Sequence, residues 1–151
     1  EARRSVEWQV LVTIAAAFGV GTALQNSGAA TAIATALVDA TQAWGPIAAL
    51  AVIYLLGSIL TELITNNAAA VLLFPFCLET ARLYDADPRP FLMALVLSAS
   101  ASFMTPIGYQ TNMMVYGPGG YRFTDFLRIG APLNLLLWIV AICLIPLCWP
   151  F

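Results

Sequence analysis

The sequence predicts an all-α integral membrane fold in which transmembrane helices are combined with a re-entrant helical hairpin and a broken helix. Three observations carry that expectation. The chain of 151 residues is 61% hydrophobic and only 9% charged, against roughly 25% charged in soluble domains. Its six Arg and eight acidic residues fall almost entirely between long apolar stretches. Two polar interruptions, Thr65-Asn66-Asn67 and Thr105 through Asn112, stand inside sequence that is otherwise apolar enough for a bilayer. A water-soluble domain has no reason to place them there, whereas membrane carriers assemble binding sites from helices broken within the bilayer.

The same composition excludes other classes. The chain has no Lys and no His, so a P-loop, a His-based metal site, a Ser-His dyad and a basic nucleic-acid surface each lack an essential part. No enzyme activity, no cofactor and no nucleic-acid partner are expected. Cys77, Cys143 and Cys148 match neither zinc nor redox spacing, and are read as small buried hydrophobes.

The elements follow in order. Residues 8–24 are free of charge and, at ~1.5 Å per residue, give about 25 Å of helix, enough to span with little tilt. The chain starts at Glu1 without Met or a basic leader, so this stretch reads as a span and not a signal peptide, within a late part of a longer polypeptide. Asn26-Ser27-Gly28 breaks it. In 29–43, Thr31, Thr35, Asp39 and Gln42 share one helical face, as in a helix lying along the interface. Trp44-Gly45-Pro46 then combines an interfacial aromatic with a helix start. Residues 46–82 carry the first interruption at 65–67. A continuous helix from Pro46 to Leu78 would be roughly 50 Å long against a ~30 Å core, so the chain turns at Thr65-Asn66-Asn67, and a re-entrant hairpin is favoured. Residues 90–116 form a helix broken at 105–112 by Pro106, Gly108 and the polar run, and residues 131–150 form a final span. With the hairpin returning to its own side, Arg3, Arg4, Arg122 and Arg128 share the cytoplasmic side, while Arg82 and Arg89 lie outside. The chain is thus expected to be multi-pass in the cell (inner) membrane, with the lipid bilayer as its solvent.

The interruptions suggest a chemistry. Asn offers an oxygen acceptor and an amide donor, and Thr a hydroxyl that does either, so such a tip can hold a sodium ion through oxygens and an anion through N–H groups. Helices starting near Ala68 and Met113 would add unpaired N–H groups and partial positive charge. An anion can therefore be bound without Lys or Arg. Ser98, Ser102 and Thr105 lie on one face leading into the second break, either lining a polar path or bonding carbonyls of their own helix. Glu62, the one charge within the apolar segments around the breaks, is a functional candidate or a capping group. Gly117-Pro118-Gly119-Gly120 reads as a tight exit turn and not a phosphate loop.

Thr61-Glu62-Leu63-Ile64-Thr65-Asn66-Asn67, Gln25-Asn26-Ser27-Gly28, Val6-Glu7-Trp8 leading into Ala15-Ala16-Ala17-Phe18-Gly19, and Ala101-Ser102-Phe103-Met104-Thr105-Pro106 together resemble the divalent anion:sodium symporters, which carry dicarboxylates, citrate or sulfate. The resemblance runs nearly the whole length and is to the second, C-terminal inverted repeat. The family's Ser-Asn-Thr tip is matched by Thr65, Asn66 and Asn67. The resemblance implies sodium contacts at Thr61, Ile64, Asn66 and Gly108, and substrate contacts at Asn66, Asn67, Tyr109 and Gln110, with Thr65, Glu62, Thr105 and Asn112 as further candidates. It also implies half of an inverted-repeat, elevator-type transporter, Na+ as coupling ion, a small anionic substrate, a missing N-terminal repeat and a homodimer. Dicarboxylate carriers often show Thr-Pro-Pro-Asn where this chain has Tyr109-Gln110-Thr111-Asn112, a departure that resembles a subgroup partly associated with sulfate. The alternative is a sodium/proton antiporter or an arsenite-type efflux permease of the wider ion-transporter group, with Glu62 carrying a proton.

Overall fold

The structure is a computed structural model and describes residues 8–151, so Arg3, Arg4 and the Val6-Glu7 pair lie outside the described residues. Seven α-helices and no strand are found among those residues: α1 (Trp8–Asn26), α2 (Ala29–Thr41), α3 (Pro46–Leu63), α4 (Asn66–Leu83), α5 (Pro88–Ser100), α6 (Gln110–Tyr116) and α7 (Phe123–Cys148). Helices α3 and α7 are long and apolar enough to cross a bilayer. Large apolar side chains such as Phe18, Ile59, Met114, Ile129 and Leu147 point outward, which suits lipid or apolar protein surroundings and not water.

Local signals place the helix ends. Gly28 turns the chain between α1 and α2 at φ 74°, a left-handed conformation that costs little without a Cβ. Gly45 likewise has φ 76° and delivers Pro46 at the first position of α3, where a missing N–H does no harm. Asp87 caps α5 by accepting from the Arg89 N–H at 2.8 Å, and Asp125 holds the Arg122 N–H at 2.8 Å to start α7. Because of that cap, α7 begins at Phe123 and absorbs the charged connector that the sequence set apart from the span.

The buried face of α3 explains the packing. Ala49, Leu50, Ile53, Tyr54, Gly57, Ser58, Thr61 and Glu62 are all buried, a stripe of adjacent pairs recurring every four residues. Its first part is apolar and joins Phe76, Cys77, Phe91 and Leu95 in the core. Its last part is polar. Gly57 lets α5 come close, since a Cβ there would collide with Ser98 Oγ and stand 2.9 Å from Ser98 Cβ.

Polar ties fix the helix directions. The Trp138 indole N–H donates to the Ala51 carbonyl at 3.0 Å, while Asn134 Nδ2 donates to Ser58 Oγ at 3.3 Å, so α3 and α7 run antiparallel. Tyr84, just after α4, donates to Thr41 Oγ1 at 2.7 Å, because the Thr41 proton is used on the Leu37 carbonyl at 2.7 Å. The end of α4 therefore lies by the end of α2, just before the short turn that leads into α3. Thr31, on the exposed side of α2, donates to Glu79 of α4 at 3.2 Å. Pro75 has no N–H for the Val71 carbonyl, and α1 brings Gly21 to that carbonyl. Cys77 is buried, but Cys143 and Cys148 are exposed on α7; a long helix buried along one stripe leaves them outside the core.

Candidate functional site

Two interruptions of regular structure meet at the polar end of the α3 stripe. The first is Ile64-Thr65, where Ile64 is extended at φ −129° and ψ 176° while its N–H still bonds the Leu60 carbonyl. Thr65 then caps α4, its hydroxyl accepting the Ala68 N–H at 3.4 Å, so the helix resumes at Asn66.

The second is the irregular segment 101–109, between α5 and α6. The sequence places this break at 105–112, whereas regular helix stops at Ser100 and resumes at Gln110. The cause lies 42 residues upstream. The Glu62 carboxylate accepts the Met104 N–H at 2.8 Å and the Thr105 N–H at 2.8 Å, taking donors that helix would have sent to the carbonyls one turn back. Pro106 adds the usual bias of its preceding residue away from helix.

Further bonds hang this segment from α3. Ser58 Oγ donates to the Ala101 carbonyl at 3.5 Å, Ser102 Oγ to the Thr61 carbonyl at 3.3 Å and Thr105 Oγ1 to the Glu62 carbonyl at 3.2 Å. Asn112 closes the loop, its amide donating to the Ser102 and Thr105 carbonyls at 3.1 and 3.2 Å. Gly108 is buried against the end of α3; a Cβ would collide with Ser102 Oγ and stand 2.9 Å from the Thr61 carbonyl oxygen. Ser98 takes the plainer of its two roles and bonds its own helix at the Leu95 carbonyl, 2.9 Å away.

Thr61 is the centre of this arrangement and is fully buried. Its hydroxyl oxygen lies 2.7 Å from Asn66 Oδ1 and 2.8 Å from the Ala99 carbonyl oxygen. One hydroxyl proton serves one of these acceptors. Two arrangements satisfy all three oxygens: the Asn66 amide turned end for end so that its N–H donates to Thr61, or a cation shared among them, as hard cations take hydroxyl and carbonyl oxygens.

The candidates sort into two groups. Thr61, Glu62, Asn66, Thr105, Gly108 and Asn112 are buried or half-buried and interlocked, with Ile64 as the backbone link. Thr65, Asn67, Tyr109 and Gln110 are exposed, and the last three enter none of the side-chain hydrogen bonds found among the described residues. Sequence reasoning passed over Asn134, whose amide also donates to Glu62 Oε1 at 3.4 Å. Its signal was a lone Asn in the final apolar stretch, two residues after Pro132. Asn134 sits about 17 Å of helix from Phe123 and about 21 Å from Cys148. The breaks thus lie beside the interior of the longest apolar helix and not at its end.

Comparison with known proteins gives a consistent set. A family profile described as citrate transporter matches residues 1–86. An uncharacterized transporter of Synechocystis is 46% identical over 133 residues, 88% of this chain and 22% of that protein. Sodium/sulfate cotransporter 1 of Chlamydomonas reinhardtii is 41% identical over 142 residues, 93% of this chain and 16% of its own length. Solute carrier family 13 member 2 of Mus musculus is 27% identical over 129 residues, 85% of this chain and 22% of that protein. The chain therefore spans about a fifth of the length of these relatives.

Proposed function

The chain belongs to the citrate transporter family of divalent anion:sodium symporters, and from that premise we propose that it forms the C-terminal repeat of a secondary active transporter carrying a small divalent anion, sulfate or a dicarboxylate, coupled to sodium. The observation that carries this reading is the meeting of the two breaks at Thr61, whose hydroxyl oxygen lies 2.7 Å from Asn66 Oδ1 and 2.8 Å from the Ala99 carbonyl oxygen, with no Lys or Arg taking part.

Thr61, Ile64, Asn66 and Gly108 hold sodium in this reading, through hydroxyl, amide and backbone oxygens. Asn66, Asn67, Tyr109 and Gln110 contact the anion, assisted by the free N–H groups where α4 starts. The exposure of Asn67, Tyr109 and Gln110 leaves their polar groups open to a ligand. Thr65, Glu62, Thr105 and Asn112 shape the site: Thr65 caps α4, and the other three fix segment 101–109. Helices α3 and α4 act as a re-entrant hairpin with its tip at 65–67, which the placing of the end of α4 beside Thr41, just before the turn into α3, supports. Such sites close between two repeats, so the N-terminal repeat completes this one, in a multi-pass protein of the inner membrane that moves its hairpin and broken helix against a dimeric scaffold. Sulfate is favoured by the sulfate-cotransporter names among the relatives.

One observation favours the second reading, a sodium/proton antiporter or efflux permease. Glu62 is buried, and its partners (two backbone N–H groups and the Asn134 amide) are all neutral, so it would serve there as the proton carrier.

The test is uptake of radiolabelled sulfate and succinate into proteoliposomes holding the full-length protein, with and without a sodium gradient, for wild type and Asn66→Ala. Sodium-driven uptake of either anion, abolished by the substitution, is the expected result. No uptake of either, or uptake indifferent to Asn66, removes the hairpin tip from the mechanism.

A further inference from the structure

Helix α7 meets α3 and the broken segment along one stripe. Gly130, Asn134 and Trp138 are spaced four apart, and each makes a specific approach. A Cβ on Gly130 would collide with the Phe103 carbonyl, Asn134 reaches Ser58 and Glu62, and Trp138 reaches the Ala51 carbonyl. The stripe continues as buried Ala141 and Ile145.

Asn134 is the anomaly in this stripe. It is 7% exposed, and its Oδ1 is buried without a hydrogen-bond donor. A leucine would fill a similar volume and leave no orphaned acceptor. What the amide contributes is its donor side, which touches two residues one helical turn apart on the polar stripe of α3. One of them, Glu62, holds the Met104 and Thr105 N–H groups, and the other, Ser58, holds the Ala101 carbonyl. Segment 101–109 is thus suspended from α3, and Asn134 braces both suspension points from α7.

We propose that Asn134 is a positioning residue for the ion site: it fixes the Glu62 carboxylate and Ser58 so that segment 101–109 and the end of α5 before it keep Gly108 and the Ala99 carbonyl in register with Thr61. Its functional half rests on the transporter reading above. Without the amide, Glu62 Oε1 keeps a single donor and is free to rotate away from Met104. The register of the oxygens around Thr61 then loosens, while the anion contacts Asn67 and Gln110 lie outside that segment, in α4 and α6, and Tyr109 lies at its far end beside the start of α6. Sodium affinity therefore falls far more than anion recognition.

The experiment uses the full-length protein with Asn134→Leu, Asn134→Gln and wild type. Hydrogen exchange reads the segment directly: amides of 101–109 exchange about tenfold faster in Asn134→Leu, with those of α1 and α4 unchanged. Sulfate or succinate uptake reads the site: the sodium concentration for half-maximal uptake rises about tenfold, the anion KM and maximal rate stay within about twofold, and Asn134→Gln, which keeps the donor, recovers most of the loss. Unchanged exchange in 101–109 overturns the proposal whatever transport does. Faster exchange with equal losses in sodium, anion KM and rate also overturns it, because it marks general loosening. Faster exchange in a protein whose wild type takes up neither anion overturns the transporter reading and leaves the brace standing. Should Asn134→Leu fail to accumulate, Asn134→Ser, too short to reach Glu62, is read by the same criteria.

Discussion

Glu62→Gln is the sharpest test of how the second break is built. The carboxylate offers two oxygens to three donors: Met104 N–H and Thr105 N–H at 2.8 Å each, and the Asn134 amide at 3.4 Å. Glutamine keeps the shape but has one oxygen, so its NH2 must face one backbone N–H. A hydrogen bond to a charged group is worth about 1.5–3 kcal/mol, and a buried donor left unpaired costs about 1–3 kcal/mol. The two overlap, and the neutral side chain is relieved of part of the carboxylate's desolvation. A net loss of about 2–3 kcal/mol results, or roughly 5–10 °C in Tm for a cooperative unit of this size. Thermal unfolding of the purified full-length protein in detergent measures it, and hydrogen exchange should locate the change at Met104 and Thr105. A Tm within about 1 °C of wild type, with exchange of 101–109 unaltered, would refute the capping role. It would hand Glu62 back to the proton-carrier reading.

Other substitutions probe neighbouring contacts. Gly130→Ala places a methyl group into the Phe103 backbone and 2.7 Å from the Met104 nitrogen; backbone cannot yield as a side chain can, so a loss of about 1–3 kcal/mol is expected in the same melting assay. Gly19→Ala is its control. Nothing lies within 4 Å of a Cβ there, and the helix-propensity gain of about 0.5–1 kcal/mol should leave the protein as stable as wild type or more so. Thr61→Val keeps the volume and removes the hydroxyl between Asn66 and Ala99; the half-saturating sodium concentration for anion uptake should rise at least tenfold, and an unchanged value would take Thr61 out of the ion site. Tyr84→Phe removes the donor to Thr41 that ties the end of α4 to the end of α2, and should lower stability by about 1 kcal/mol without altering the sodium dependence of uptake.

The sequence by itself determined the class of this protein and the neighbourhood of its first break, which falls at Ile64-Thr65 with Asn66 and Asn67 already in α4. Composition and charge-free length are sums over residues, so apolar helices with charged connectors are legible without knowing any contact. Thr65 was legible for a local reason: a capping hydroxyl followed by two Asn after an apolar run ends one helix and starts the next, whatever surrounds it. Pro106 and Gly108 marked the second break for the same reason, and Thr61 and Asn66 entered the site through a family resemblance in a seven-residue motif.

Only the tertiary structure decided where the second break begins, what Glu62 does and that Asn134 matters. Helix after Ser100 gives way because a carboxylate 42 residues earlier takes the Met104 and Thr105 N–H groups, and no local signal at 101–104 encodes that. Asn134 is an ordinary single polar residue in its own helix and gains meaning only when α7 runs antiparallel to α3 and sets it against Ser58 and Glu62. Likewise, the chain alone cannot distinguish Gly130 from Gly19; the first faces a carbonyl and the second faces open space. Propensity and hydropathy are properties of a residue and its near neighbours, whereas hydrogen-bond satisfaction in an apolar interior is settled between segments far apart in sequence.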